Sequence, residues 1–172
     1  MECWNVMLKT IKARTLRAGN ARFAIVASQY NGRYVNAMLA AAKAEFKQAG
    51  AKEVQVVRVP GAYEVPLVAA RLARTASPHA SRITHHSPPL SAIVCLGVIL
   101  RGQTVHAAHI GEAVSRALME IQVRHEVPVI HEVLLLENEE QARARCLDPK
   151  RNRGREAAQT ALTMARVMAS LA

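Results

Sequence analysis

The sequence predicts an α/β fold in which one four-stranded parallel sheet carries helices on both faces, a three-layer α/β/α sandwich. Short apolar runs alternate with segments of helical periodicity almost throughout the chain. Such repeated strand–helix units favour parallel strands joined by right-handed crossovers. The length of 172 residues suits one domain with a sizeable hydrophobic core.

The first half of the chain predicts two strand–helix units. The apolar run 22–28 predicts a buried strand, and the β-branched run 54–59 predicts a second one. Between them lies a helix that ends at Gly50, a residue typical of helix C-termini. Its apolar stripe consists of Val35, Met38, Leu39, Ala42 and Phe46. After the second strand, Pro60 and Gly61 turn the chain into a helix over about 64–74.

The apolar run 92–100 predicts the third strand. It ends in a tight turn, and a segment of helical periodicity follows from about Thr104 to His125. The apolar stripe of this predicted helix consists of Ile110, Val114, Ala117, Leu118 and Ile121.

Residues 127–136 predict the fourth strand. Asn138 and Gln141 then have the spacing of a capping box, which starts a short helix that ends near Cys146. A basic turn at 148–153 leads into the last helix, whose apolar side carries Leu162, Ala165 and Met168.

We assign residues 22–172 to this single domain and two segments to its periphery. Residues 1–21 form an N-terminal tail, which either is flexible or docks on a neighbouring subunit. Residues 77–90, rich in proline and histidine, predict an exposed loop insertion. Its histidines, His79, His85 and His86, lack accompanying carboxylates or cysteines, so we do not expect a metal site there.

Composition indicates a soluble globular protein, with 51% apolar and 21% charged residues. The longest apolar run, 92–100, is too short to span a bilayer, so we expect no membrane partner. The three cysteines, Cys3, Cys95 and Cys146, are scattered and odd in number. They argue against a disulfide framework and favour a reducing compartment, which we take to be the cytoplasm.

The net charge of +10 would suit a polyanion. However, the basic segments lack the interleaved aromatic residues of a single-strand binding platform. We therefore expect no nucleic-acid partner and interpret the charge as a basic surface around sites for anionic substrates.

Polar and aromatic side chains follow three of the predicted strands. They are Tyr30 and Asn31 after the first, 61–64 after the second, and 101–106 after the third. Because ligands collect at the carboxyl ends of parallel strands, these groups are expected to converge. The turn at 101–104 opens a helix whose N–H groups can hold a phosphate, and His106 places an acid–base group nearby. The pattern predicts chemistry on a small phosphorylated substrate.

Taken in order, the strand-end motifs resemble those of the lumazine synthase family. The motif from Val59 to Pro66 and the motif from Leu96 to His106 are specific when they occur together. The resemblance covers about Arg22 to Leu171, apart from the loop insertion. The matching motifs are Ser28-Gln-Tyr-Asn31, Val59-Pro-Gly-Ala-Tyr-Glu-Val-Pro66, Leu96-Gly-Val-Ile-Leu-Arg-Gly-Gln-Thr-Val-His106, Val127-Pro-Val-Ile130, and Glu137-Asn-Glu-Glu-Gln-Ala142 with Arg145.

The resemblance implies a flavodoxin-like fold and a transferase of riboflavin biosynthesis. The implied reaction condenses 5-amino-6-(D-ribitylamino)uracil with 3,4-dihydroxy-2-butanone 4-phosphate, giving 6,7-dimethyl-8-ribityllumazine, phosphate and water. It implies no organic cofactor and no metal. It further implies a homo-oligomer, a pentamer or decamer, with active sites between neighbouring subunits.

The resemblance also implies roles for individual residues. His106 would transfer protons. The phosphate would bind to Gln103, Thr104 and Arg145, with Arg153 as a further candidate. The pyrimidine and ribityl chain would contact Tyr30, Asn31, Gly61, Ala62, Tyr63, Glu64, Ile99, Leu100 and His131.

Simpler explanations stay open for three of these residues. Thr104 fits a helix N-cap, Glu64 favours a helix dipole in a first turn, and Arg145 fits a solvated helix face.

Some residues depart from the family pattern. Ala107 and Ala108 stand where an aromatic and an acidic residue are common, and His131 stands where a phenylalanine covers the pyrimidine. The turn 147–152 lacks the glycine- and lysine-rich form of capsid-forming members, which argues against a 60-subunit shell. The alternative function is a weakly catalytic or inactive paralogue that binds lumazine or flavin in the same pocket.

Overall fold

The computed structural model describes residues 16–76 and 89–171. The strands are β1 (Phe23–Ser28), β2 (Val54–Val59), β3 (Ala92–Leu100) and β4 (Val129–Leu136). The α-helices are α1 (Gly32–Gln48), α2 (Val65–Ala76), α3 (His106–His125), α4 (Glu139–Ala142) and α5 (Arg153–Ser170). A 3₁₀ turn (Ala62–Glu64) precedes α2, and a π turn (Arg143–Leu147) follows α4.

The four strands form one parallel sheet in the order β2-β1-β3-β4. Phe23 at the start of β1 pairs with Val54 on one side and Ala92 on the other. From β1 the chain crosses to one edge of the sheet, and from β3 it crosses to the other edge. The boundary between the neighbouring strands β1 and β3 is therefore the topological switch point. The predicted α/β/α architecture is confirmed.

Two hydrophobic cores cover the two faces of the sheet. On one face, α1, the π turn and α5 share a core in which the Phe23 and Phe46 rings lie 4.6 Å apart. On the other face, α2 and α3 pack through small and branched residues such as Ala69, Val114 and Leu118. In α1, α3 and α5 each predicted apolar stripe contains buried residues, and its remaining positions are only partly buried.

The N-terminus of α3 differs from the prediction. The helix begins at His106, with Val105 as its N-cap and no side-chain cap bond. Thr104 lies in the preceding bend, so the interpretation of Thr104 as a helix cap is wrong. Residues 101–105 instead form an exposed loop between β3 and α3.

Elements near β4 follow the prediction with local changes. β4 starts at Val129, because Pro128 has no N–H for the ladder, although its carbonyl accepts from Ile93 N at 2.8 Å. Asn138 caps α4 as predicted and accepts from Gln141 N at 2.9 Å.

The described part of the predicted tail, residues 16–21, packs on the domain. Ala18 is buried, and its N–H donates to the Ala49 carbonyl at 2.8 Å. Residues 1–15 and 77–88, which include the three histidines of the loop insertion, lie outside the described residues. Within residues 16–76 and 89–171, no helix is long and apolar enough to cross a membrane, and no cluster of three metal-binding side chains occurs.

Candidate active site at the carboxyl edge of the sheet

The loops after β1 and β2 are bonded to each other. The N–H of Gln29 donates to the Val59 carbonyl at 2.8 Å, and the N–H of Tyr30 donates to the Pro60 carbonyl at 3.0 Å. The Tyr30 ring lies against Gly61: a Cβ built there would be 3.1 Å from Tyr30 Cδ2. Tyr30 is nevertheless 71% exposed, so its side chain is open to a ligand.

Glu64 closes the 3₁₀ turn that follows β2. The N–H of Gly61 donates to Glu64 Oε2 at 2.8 Å, which fixes the carboxylate over the turn. This bond uses one carboxylate oxygen. Ala62 is buried and small, whereas the Tyr63 side chain is 64% exposed beside it. The turn therefore presents a positioned carboxylate and an aromatic side chain at the same edge.

Asn31 joins the two central strands at the switch point. It has a left-handed backbone (φ 55), a conformation that asparagine adopts more readily than most residues. Its Nδ2 donates to the Val98 carbonyl of β3 at 2.8 Å. The side-chain amide thus holds the loop that carries Tyr30 onto β3. The two β3 residues that follow, Ile99 and Leu100, point into opposite cores.

The loop after β3 is tied to the end of β4. The N–H of Arg101 donates to the Leu136 carbonyl at 2.8 Å, and Arg101 Nη1 lies 2.9 Å from both carboxylate oxygens of Glu137. No role for this pair was predicted from the sequence. The signal was present, because Leu100 and Leu136 are register partners and the next residues must be neighbours.

Beyond Arg101, the loop is open to solvent. Gln103, Thr104 and His106 are all exposed. Among the residues that the structure describes, the N–H groups of Gln103 and Thr104 have no hydrogen-bond acceptor. They lie immediately before the N-terminus of α3, where the helix dipole favours an anion. Ala107 is buried in the core below, which leaves His106 as the exposed first residue of the helix.

His131 lies away from this edge within one chain. It pairs with Cys95 in register, whereas Leu135, four residues later, pairs with Ile99. β4 ends at Leu136, five residues after His131, so at about 3.3 Å per residue His131 is roughly 17 Å short of the ends of β3 and β4. The sequence-predicted pyrimidine contacts therefore fall into two groups, with Tyr30, Asn31 and 61–64 at the edge and His131 on the flank of β4.

Both ring nitrogens of His131 have partners. Nδ1 accepts from Val133 N at 3.3 Å, and Nε2 lies 2.8 Å from Ser115 Oγ. The Ser115 hydroxyl donates to the Gly111 carbonyl at 2.7 Å. Since Nδ1 accepts, Nε2 carries the proton of the neutral ring. Partial desolvation of the ring, which is covered on the side of Ser115 and Val133, lowers the pKa of His131.

The two predicted phosphate arginines lie on the other side of the sheet. Arg145 is exposed on the π turn, in the layer of α1 and α5. Arg153 donates to both oxygens of buried Glu132, at 2.8 and 3.0 Å, and also to Glu156. Burial raises the pKa of Glu132, and the Arg153 guanidinium works against that shift. Gln103 and Thr104 belong to the opposite layer, so one chain does not bring all four residues together.

Comparison with known proteins decides the family. The family model for 6,7-dimethyl-8-ribityllumazine synthase matches residues 20–169. The chain belongs to this family. It is 40% identical over 154 residues to the 6,7-dimethyl-8-ribityllumazine synthase of Stenotrophomonas maltophilia (strain R551-3), covering 88% of this chain and 92% of the relative. The corresponding synthase of Xanthomonas euvesicatoria pv. vesicatoria (strain 85-10) is 36% identical over 155 residues, covering 89% and 93%.

The lumazine synthase resemblance drawn from the strand-end motifs is confirmed by these matches, as is the flavodoxin-like fold. Members of the lumazine synthase family are transferases, which confirms the predicted enzyme class. The roles of the individual site residues, the assembly and the cellular location stay predictions.

Proposed function

We propose that this chain is an active 6,7-dimethyl-8-ribityllumazine synthase. It condenses 5-amino-6-(D-ribitylamino)uracil with 3,4-dihydroxy-2-butanone 4-phosphate and releases phosphate and water. One observation carries the proposal beyond family membership. A bonded set of strand-end loops presents an aromatic ring, a fixed carboxylate, the backbone N–H groups of an exposed loop and a histidine along one edge of the sheet.

The first substrate is a flat heterocycle with a polyhydroxyl chain. Tyr30 stacks on the heterocycle through its exposed ring, an interaction worth about 1 kcal/mol beyond burial. Glu64 accepts hydrogen bonds from the ribityl hydroxyls through the oxygen that Gly61 does not use. Gly61 and Ala62 leave room for the ligand to approach the backbone. Asn31 holds Tyr30 in place through its bond to β3.

The second substrate is held by its phosphate. The N–H groups of Gln103 and Thr104 and the threonine hydroxyl donate to the phosphate oxygens, next to the N-terminus of α3. Arg145 supplies a guanidinium, whose paired donors match a phosphate. Arg153 contributes less, because Glu132 and Glu156 already accept its donors.

His106 transfers protons during imine formation, phosphate loss and ring closure. An imidazole can both donate and accept a proton. Much of the rate enhancement comes from holding the two substrates in the right orientation. We therefore expect His106 to accelerate the reaction without being indispensable for it.

The complete site is shared between neighbouring subunits of a homo-oligomer. Tyr30, Glu64 and His106 come from one subunit, and Arg145 and His131 come from the next. The separation of these two groups within one chain supports this arrangement. So do the exposed apolar side chains of Tyr63, Leu67 and Val105 around the edge. We propose a pentamer or decamer, located in the cytoplasm, where buried thiols such as Cys95 stay reduced.

Steady-state kinetics with both substrates test the proposal, with product followed by lumazine fluorescence. The wild-type chain is expected to turn over. His106→Ala should lower kcat by about 10²-fold or less and retain measurable activity. Arg145→Ala should mainly raise the KM of the phosphorylated substrate. Tight binding of lumazine without any turnover would overturn the catalytic proposal, and equal, negligible effects of the two variants would overturn both residue roles.

A further inference from the structure

The π turn that carries Arg145 needs support from outside itself. Its five residues replace the regular α-helical bonds by wider ones, such as Asp148 N to the Arg143 carbonyl at 3.2 Å. Such turns are rare, and the last carbonyls of any helical segment have no partner within it and need other donors. The Cys146 carbonyl, directly after Arg145, accepts a hydrogen bond from Asn152 Nδ2. Asn152 is therefore bonded to the backbone beside the arginine.

The same asparagine side chain starts α5. Its Oδ1 accepts from the Gly154 N–H at 2.9 Å, which makes Asn152 the N-cap of the helix. Asn152 is buried, with 6% of its surface exposed. One amide thus joins the π turn to the first turn of α5. Aspartate has no donor for the carbonyl, and serine is too short to span both partners.

The start of α5, which carries the Asn152 bond, is held in place by α1 and β4. A Cβ at Gly154 would lie 2.0 Å from the Met38 carbonyl oxygen, so the helix start packs directly on the backbone of α1. Arg153, the first residue of the helix, is bonded to buried Glu132 of β4. Because α5 cannot shift on α1 and β4, the Asn152 amide fixes the backbone next to Arg145.

We propose that Asn152 is a positioning residue for the phosphate-binding Arg145. The inference rests on the proposed function of Arg145 and adds to it the reason why an exposed arginine presents its guanidinium in one place. Asn152 does not touch the substrate. Its contribution is to hold the π turn, so its loss weakens phosphate binding without changing the chemical step.

The test compares Asn152→Ser with Asn138→Ser in the full-length chain. Serine is a good N-cap, so both variants should keep their helices. Asn138 is the matched control, since its side chain caps α4 and its Oδ1 is bonded to Gln141 N. We expect Asn152→Ser to raise the KM of the phosphorylated substrate about tenfold. The inhibition constant of inorganic phosphate should rise in parallel, while kcat and the KM of the pyrimidine stay within about twofold. Asn138→Ser should change none of these.

A double-mutant cycle separates positioning from a general structural role. In the Arg145→Ala background, Asn152→Ser should add less than about twofold to the KM of the phosphorylated substrate, because the group that it positions is gone. Full additivity would overturn the inference. So would an unchanged KM in Asn152→Ser when Arg145→Ala raises it, and that result leaves the proposed function intact. An unchanged KM in Arg145→Ala removes both this inference and the phosphate role of Arg145.

A second variant keeps the inference testable if Asn152→Ser does not fold. Asn152→Asp keeps the acceptor for the Gly154 N–H but turns an oxygen towards the Cys146 carbonyl. It should raise the KM of the phosphorylated substrate at least as much as Arg145→Lys does. A wild-type KM in Asn152→Asp would overturn the inference.

Discussion

The Tyr30 ring lies against Gly61, so that a Cβ at position 61 would be 3.1 Å from Tyr30 Cδ2. The same Cβ would be 2.8 Å from Glu64 Oε2, which accepts the Gly61 N–H. The backbone of Gly61 is extended (φ −126, ψ 178), so any residue can adopt it. Glycine is required there because two proposed ligand-binding side chains approach it.

Gly61→Ala should therefore impair binding more than folding. The methyl group displaces the ring and the carboxylate together, and we expect the KM of the pyrimidine substrate to rise about tenfold. Steady-state kinetics and thermal unfolding measure the two effects. Gly32→Ala is the control, since the nearest atom to its Cβ among the described residues would be Asn36 Nδ2, at an ordinary contact distance of 3.7 Å. An unchanged pyrimidine KM in Gly61→Ala would mean that Tyr30 and Glu64 do not bind this substrate.

Asn31 allows a comparison of its backbone and its side chain. Asn31→Gly keeps the left-handed conformation and loses the bond to the Val98 carbonyl. Asn31→Ala loses both, and the left-handed backbone should cost it about 1–2 kcal/mol more of unfolding free energy than the glycine variant. Denaturant unfolding measures this difference.

Both Asn31 variants should raise the KM of the pyrimidine, because the loop that carries Tyr30 is no longer held on β3. We expect similar KM values for the two variants despite their different stabilities. If only Asn31→Ala affected KM, strain in the backbone rather than the lost bond would be responsible.

The buried ion pair of Glu132 and Arg153 should matter for stability more than for catalysis. Arg153→Ala leaves the Glu132 carboxylate, 7% exposed, without its partner, which should cost about 3 kcal/mol of unfolding free energy. Arg116→Ala breaks an exposed pair with Glu112 and should cost less than about 1 kcal/mol. Urea unfolding compares the two. If Arg153→Ala raised the KM of the phosphorylated substrate strongly but destabilised the protein little, Arg153 would be a phosphate ligand instead.

His131 should make stability depend on pH. Its pKa is lower in the folded protein than the usual value of about 6.5, so the unfolded chain binds the proton more tightly. Unfolding free energy is therefore lost as the pH falls through about 6.5 towards the folded pKa. His131→Phe removes this contribution, so the variant should lose less stability than the wild type between about pH 7 and pH 5.5. If the unfolding free energies of the two proteins changed in parallel with pH, this prediction would be contradicted.

The sequence was sufficient to predict the strands and the layers, because their signals are local. β2 and β3 have the predicted bounds, and the capping asparagine of α4 lies where its spacing indicated. The start of α3 was mispredicted, since a threonine before a helix fits a cap and only the folded loop shows that Val105 takes this place.

What the sequence could not predict depends on residues that are distant along the chain. The segment 143–147 has ordinary helical composition, and its π geometry goes together with the Asn152 bond and the packing of α5 on α1. The contact of Tyr30 with Gly61 similarly exists only once β1 and β2 are paired. The motifs named the candidate residues, but the division into two groups required the register of β4.

We propose that neighbouring subunits complete one another's active sites, and mixed oligomers provide the decisive test. Chains carrying only His106→Ala are co-expressed with chains carrying only Arg145→Ala. The two chains have different tags, and assemblies that contain both are purified. If each site takes these residues from different subunits, about a quarter of the sites regain both in a random mixture. At limiting phosphorylated substrate, turnover per chain should then exceed the mean of the two parent proteins. Turnover no higher than that mean, in assemblies shown to contain both chains, would contradict the shared site.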